Sequence, residues 1–85
     1  MTRLVACFID TMRPVTPAER EAWAVFLSLH RDHWRPARTM FRNVFSGVAP
    51  AEALLGFQVA TCINDQDVTR RLEAVLVGLE KEARS

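Results

Sequence analysis

Four prolines divide this 85-residue chain and limit where its helices can begin and end. Because proline has no backbone N–H, it fits the first turn of a helix and disrupts a helix interior. Between these positions the apolar residues recur at intervals of three and four, which favours helices over strands. The sequence therefore predicts an all-α fold whose joints lie at Pro14, Pro17, Pro36 and Pro50.

The clearest helix start is the TPAE motif at residues 16–19. The Thr16 hydroxyl can accept a hydrogen bond from an N–H of the first turn, and Glu19 can reach back to the backbone of Thr16 to complete a capping box. We expect this helix to cover residues 17–33. Pro36 disfavours helical geometry at the residue before it, so it should end this helix and supply a first-turn proline to the next.

The second and third helices are predicted over residues 37–46 and 50–63. Gly47 should close the second helix as a left-handed cap, a conformation that glycine adopts without steric cost. Pro50 opens the third helix, which is apolar on nearly every side over residues 53–63. A helix of this composition is typical of the centre of a bundle.

The fourth helix is predicted over residues 66–82 and has the cleanest amphipathic pattern, with Asp65 or Asp67 as its cap. Gly56 and Gly78 lie inside the third and fourth helices, where a glycine costs about 1 kcal/mol relative to alanine. Each has an alanine four residues away. Either the glycines are simply tolerated, or they form small notches that let these two helices approach closely.

The first residues of the chain allow two interpretations. Leu4, Cys7, Phe8 and Met12 suit a helix. Val5, Phe8 and Ile9 would suit a short strand. We expect a helix, because no second strand is available and a lone strand leaves its backbone groups unpaired.

Together these segments predict a single domain over residues 1–85, a small four-helix bundle with an additional short N-terminal helix or isolated strand. A chain of this length buries only about 60–65% of the surface that its unfolded form exposes, yet 49% of its residues are apolar. Such a surplus favours a homo-oligomer, such as a homodimer, or a hydrophobic docking face. Most of the core is expected to come from Trp23, Phe26, Leu27, Leu54, Leu55, Phe57, Val59, Leu72, Val75 and Leu79.

Charge and cysteine content suggest where such a protein works. A net charge of +1, from eleven basic and ten acidic residues, gives no overall attraction to nucleic acid or membrane. The apolar run at residues 4–9 is too short for a secretory signal, and the uncharged stretch at 53–64 is too short to span a bilayer. Cys7 and Cys62 have apolar neighbours and are expected to be buried free thiols. We therefore expect a cytoplasmic protein without membrane contact.

The most informative functional feature is a row of arginines spaced by four, three and four residues. Its members are Arg31, Arg35, Arg38 and Arg42. They share one helix face if the helix continues through Pro36. Together with Asp32 they give residues 31–42 a net charge of +3, and Trp34 or Phe41 nearby could stack on a base. The row could contact an acidic protein or nucleic acid, or it could be a solvated face that forms ion pairs with acids such as Glu19 and Glu21.

The sequence gives little support for a metal site or for a helix-turn-helix motif. His30 and His33 could share a metal ion, and Cys7 and Cys62 would raise the ligand count to four. Structural zinc sites, however, bring their cysteines as a closely spaced pair. Gly56 could mimic the turn glycine of a helix-turn-helix, but an apolar run follows where a polar recognition helix should stand. We predict neither a metal nor another cofactor.

Signatures of catalysis are also missing, since the chain has no glycine-rich phosphate loop, no nucleophile elbow and no tyrosine. We predict a small non-enzymatic interaction module, an adaptor, inhibitor or regulatory subunit. It would bind a macromolecular partner, preferably a protein, through an apolar face and an arginine patch with Trp34. The alternative is a nucleic-acid-binding regulator that places Arg35, Arg38 and Arg42 on phosphates.

Overall fold

The structure, a computed structural model, describes residues 8–84 and confirms the all-α bundle. Helix α1 spans Pro17–Ser28, α2 spans Trp34–Phe45, α3 spans Pro50–Thr61 and α4 spans Gln66–Arg84. A short 3-10 turn at Arg31–His33 leads into α2. Residues 8–11 are also helical, and no strand occurs within the described range.

The N-terminal element packs on the bundle as a helical segment. Phe8 is fully buried, with its ring centroid 6.2 Å from that of Phe41 and 6.4 Å from that of Phe45. Because Phe8 lies in the helical residues 8–11, the strand interpretation is wrong for this part of the segment. Leu4, Val5 and Cys7 lie outside the described residues.

Helix α1 begins as predicted, with a complete capping box. The Thr16 hydroxyl accepts a hydrogen bond from the Glu19 N–H at 3.1 Å, and a Glu19 carboxylate oxygen accepts one from the Thr16 N–H at 3.0 Å. Thr16 also donates its hydroxyl proton to Glu82, which ties the start of α1 to the last turns of α4. Glu19 is fully buried as a result.

The predicted end of α1 is wrong, since the helix stops at Ser28 and not at residue 33. Leu29 adopts an extended conformation and turns into the core, and its carbonyl oxygen accepts a hydrogen bond from the Trp34 indole N–H at 3.2 Å. Helix α2 then begins at Trp34, three residues before the predicted start. Pro36 stands in its first turn, where the missing N–H has no intrahelical partner to lose.

Residues in a left-handed backbone conformation end helices α2 and α3. Gly47 is the predicted left-handed cap, with φ of 101°, and the N–H groups of Gly47 and Val48 donate to the carbonyls of Val44 and Asn43 in a Schellman pattern. Helix α3 ends at Thr61 and not at 63, because Cys62 takes a left-handed conformation with φ of 60°. Helix α4 runs to Arg84, two residues beyond the predicted end.

The packing corrects the predicted position of α3. Helix α4 packs on each of the other three helices, whereas α3 packs on α2 and α4, so α4 and not α3 is the central helix of the bundle. Only Ala53, Leu54 and Phe57 of α3 are buried. Leu27, Leu55 and Val59 were expected in the core and are exposed, and Trp23 is half-buried. The predicted core residues that are buried are Phe26, Leu54, Phe57, Leu72, Val75 and Leu79, joined by Phe8, Met40, Phe41, Val44 and Leu76 among others.

The two helical glycines do not bring α3 and α4 together. A Cβ on Gly78 would lie 3.3 Å from the Cβ of Ala18, so this glycine forms a notch for α1. A Cβ on Gly56 would meet no heavy atom of the described residues within 4 Å. Gly56 therefore faces open space on the outside of α3.

Candidate interaction surface

The arginine row lies on the outer side of α2. Helix α2 includes Pro36 without a break, so Arg35, Arg38 and Arg42 share one face of the helix. All three side chains are exposed. Arg31 is exposed in the 3-10 turn just before the helix. The opposite side of α2 is fixed in the core by Ala37, Met40, Phe41, Val44 and Phe45. We call the four arginines the Arg row.

The charge of the Arg row is not neutralised by ion pairs within residues 8–84. In this range an ion pair joins Arg84 to Glu80 at 3.5 Å, the Nδ1 of His30 lies 3.3 Å from an Asp32 carboxylate oxygen, and neither contact involves the Arg row. Glu19, one of the acids considered as a partner, is fully buried in the capping box. The row therefore presents guanidinium groups whose hydrogen-bond donors face solvent.

Trp34 forms a fixed aromatic platform at the start of the Arg row. Its ring stacks on Phe26 with centroids 5.1 Å apart, and Phe26 stacks on Trp23 at 5.6 Å. With its indole N–H bound to the Leu29 carbonyl, Trp34 still exposes 38% of its surface. Phe41 is fully buried, so the expectation that it could stack on a base is wrong.

A second exposed feature lies on α3. Leu55 and Val59 are 60% and 73% exposed, one helical turn apart. Glu52 and Gly56 share this side of the helix and are also exposed. We call Glu52, Leu55, Gly56 and Val59 the α3 outer face. It is mainly apolar, and it holds two of the six large apolar side chains that are exposed in the described residues.

A shallow groove separates the α3 outer face from the Arg row. Its walls are Pro36, Thr39 and Asn43 on α2 and Ala53, Gly56, Phe57 and Ala60 on α3, with Arg35 at one end. Small side chains on α3 keep the groove open. The Arg row, the groove and the α3 outer face therefore form one continuous side of the molecule.

The sequence prediction missed the α3 outer face because α3 is apolar all round. A signal was nevertheless present in the positions of Glu52 and Gly56. On a helical wheel they fall on the same side as Leu55 and Val59, opposite Leu54 and Phe57. A charged residue and a glycine on one side indicate that this side does not enter a core.

The histidines and the described cysteine form no metal centre. The rings of His30 and His33 lie 6.0 Å apart, and the Nδ1 of His30 accepts a hydrogen bond from the Asp32 N–H at 3.2 Å. Cys62 is exposed at the end of α3, so its predicted burial is wrong, and Cys7 lies outside the described residues. Within residues 8–84 no three His, Cys, Asp or Glu side chains are grouped so that they could hold a metal ion.

Among the helices of residues 8–84, none combines the length and the apolar character needed to cross a membrane. The chain matches no family model, and neither a curated protein nor a solved structure is significantly similar to it. The candidate surface therefore rests on its own geometry.

Proposed function

We propose that this protein is a small non-enzymatic interaction module that works in the cytoplasm as an adaptor, inhibitor or regulatory subunit. Its partner is a protein with an acidic surface, contacted by the Arg row and Trp34. One observation carries the proposal. The Arg row forms no ion pair within residues 8–84, and it lies on the same side of the molecule as the exposed, apolar α3 outer face.

The composition of this side resembles that of protein interfaces. Their buried centres are apolar, and arginine and tryptophan are enriched among the residues that contribute most to binding. Arginine forms paired hydrogen bonds with carboxylates, and its binding is strongest where water is excluded by apolar neighbours. The Arg row supplies the first property, and Trp34 beside it supplies the second.

Affinity capture with matched variants tests the proposal. Immobilised wild-type protein, an Arg38→Ala, Arg42→Ala variant and an Arg70→Ala, Arg71→Ala control are incubated with an extract of the cells that produce the protein. The control removes the same charge from exposed positions on α4. We expect a protein that the wild type and the control retain and the Arg38, Arg42 variant loses. Equal retention by all three would contradict the proposal.

Nucleic-acid binding is the second candidate, favoured by the spacing of the Arg row beside the exposed ring of Trp34. Its test is a titration of labelled DNA and RNA at low and moderate salt. Phosphate binding releases counterions, so the affinity for nucleic acid should fall steeply as salt rises. Salt-sensitive binding that the Arg38, Arg42 variant loses would support this function, and absence of binding at low salt would reject it.

A further inference from the structure

We infer that the α3 outer face is the interface of a homodimer, in which α3 of one copy packs antiparallel against α3 of a second copy across a two-fold axis. The inference deepens the proposed function, because it names the occupant of the apolar part of the binding side. It rests on the proposed function only in taking that face to bind a macromolecule.

The α3 outer face is an unusual place for large apolar side chains. Single exposed apolar residues are common on protein surfaces, and Leu27 on α1 is one at 53% exposure. Leu55 and Val59 differ because they are adjacent on one helix face and more exposed, and because Gly56 beside them is open. A face with two protruding side chains and a bare backbone fits another helix well.

The shape of this face is complementary to itself. In this arrangement the two-fold axis lies between the two α3 helices, level with the midpoint between Leu55 and Val59. It places Leu55 of each copy beside Val59 of the other. Gly56 lets the two helix backbones approach, since nothing in the described chain occupies the position of its missing Cβ. Both large side chains are then covered without any change in the fold of the monomer.

The charges specify the antiparallel direction. Glu52 lies in the first turn of α3. Helices α2 and α3 are consecutive, joined by a short connection and packed on each other, so they run antiparallel. Arg35, in the first turn of α2 and lining the groove, therefore lies toward the last turn of α3. Residues 52 and 60 are about 12 Å apart along the helix axis, so Glu52 and Arg35 of one copy are too far apart to pair. Antiparallel packing brings Glu52 of each copy to the end of α3 where Arg35 of the other copy lies. Parallel packing would place the two Glu52 side chains near each other, which is unfavourable.

The same symmetry arranges the partner-binding residues. A two-fold axis perpendicular to the paired α3 helices keeps both α2 helices on one side of the pair, so the two Arg rows face the same way. Arg38 and Arg42 of each copy remain available to a partner. A dimer therefore presents a doubled basic surface and favours a partner with two acidic segments.

Analytical ultracentrifugation from micromolar to millimolar concentration tests the dimer. One helix face is smaller than the roughly 800 Å² per partner of a standard interface, so we expect a dissociation constant in the micromolar range or weaker. The wild-type mass should rise from 9.6 kDa towards twice that value. A Leu55→Glu, Val59→Glu variant should stay monomeric with an unchanged circular dichroism spectrum, while a Val77→Gln control on α4 should behave as the wild type.

A charge exchange tests the antiparallel direction. Glu52→Arg alone and Arg35→Glu alone should each weaken the dimer by roughly fivefold to twentyfold, because every dimer contains two such pairs. The double variant should restore most of the wild-type affinity, which a general loss of stability could not produce.

A wild type that remains monomeric at millimolar concentration, or a Leu55→Glu, Val59→Glu variant that still dimerises, would overturn the inference. Failure of the charge exchange to restore affinity would overturn the antiparallel arrangement. The Arg38→Ala, Arg42→Ala variant separates the two proposals. If it dimerises normally and retains the same proteins in affinity capture as the wild type, the proposed function fails and the dimer stands. If partner binding depends on the Arg row and the protein is monomeric, only the dimer fails.

Discussion

Helices α2 and α3 are neighbours of equal length, twelve residues each, and they use their apolar residues in opposite ways. Helix α2 has a sharp division between a buried apolar side and the exposed Arg row. Helix α3 is the more apolar of the two, yet it buries fewer side chains and exposes Leu55 and Val59. The direction that a helix faces is therefore set by the arrangement of its polar residues and by the number of neighbours available, and not by its overall hydrophobicity.

The largest expected effect separates the two sides of α3. Phe57→Ala should lower the free energy of unfolding by about 3–5 kcal/mol, because it removes a buried ring and leaves a cavity. Leu55→Ala, at an exposed position, should change it by less than about 0.5 kcal/mol when the protein is dilute enough to be monomeric. Urea unfolding measures both values. Equal losses would show that α3 is buried on all sides.

Gly47 and Gly56 provide the next contrast, because one has a backbone that requires glycine and the other does not. Gly47→Ala should destabilise the protein by roughly 1–2 kcal/mol, since it forces a side chain into the left-handed conformation that closes α2. Thermal unfolding at low concentration measures the loss. An unchanged midpoint would mean that the Schellman cap is not the conformation of this turn.

Gly56→Ala should have the opposite sign. It replaces a helical glycine with a better helix former, and the new Cβ meets no described atom, so the monomer should gain about 0.5–1 kcal/mol. Gly78→Ala is the matched control, and its gain should be smaller or absent because its Cβ would lie 3.3 Å from Ala18. Chemical unfolding of both variants at low concentration is the measurement. A loss of stability in Gly56→Ala would indicate that α3 packs against another part of the monomer at this position.

The smallest effect is expected for the Arg row. Arg38→Ala, Arg42→Ala should change the free energy of unfolding by less than about 0.5 kcal/mol, because neither side chain forms an ion pair within residues 8–84. Unfolding at low and high salt checks this. A larger loss that disappears in high salt would reveal an electrostatic role in stability and would weaken the proposal that the row is kept for binding.

Local motifs were predictable from sequence because the interactions that define them are local. The capping box at Thr16 and the left-handed cap at Gly47 each depend on residues within five positions of one another. Most of the Arg row could be recognised for a similar reason, since Arg35, Arg38 and Arg42 share a face through helical spacing alone.

Features that depend on tertiary contacts were not predictable. The end of α1 coincides with the burial of Leu29, whose side chain turns into a core formed by several helices, and this packing leaves no pattern in the local sequence. The exposure of Leu55 and Val59 depends on how many helices surround α3. That number follows from the packing of the whole bundle, in which α1 lies chiefly on α4.

The central claim is that the side of the molecule formed by α2 and α3 is its binding side, with the α3 outer face occupied by a second copy. Its most direct test is a series of ¹⁵N-correlation spectra of the wild type recorded from micromolar to millimolar concentration. We expect concentration-dependent shifts at Glu52, Leu55, Gly56 and Val59 and at Arg35, with no change at Leu27, the exposed apolar residue on α1. Spectra that do not change with concentration, or shifts centred on α1, would contradict the claim.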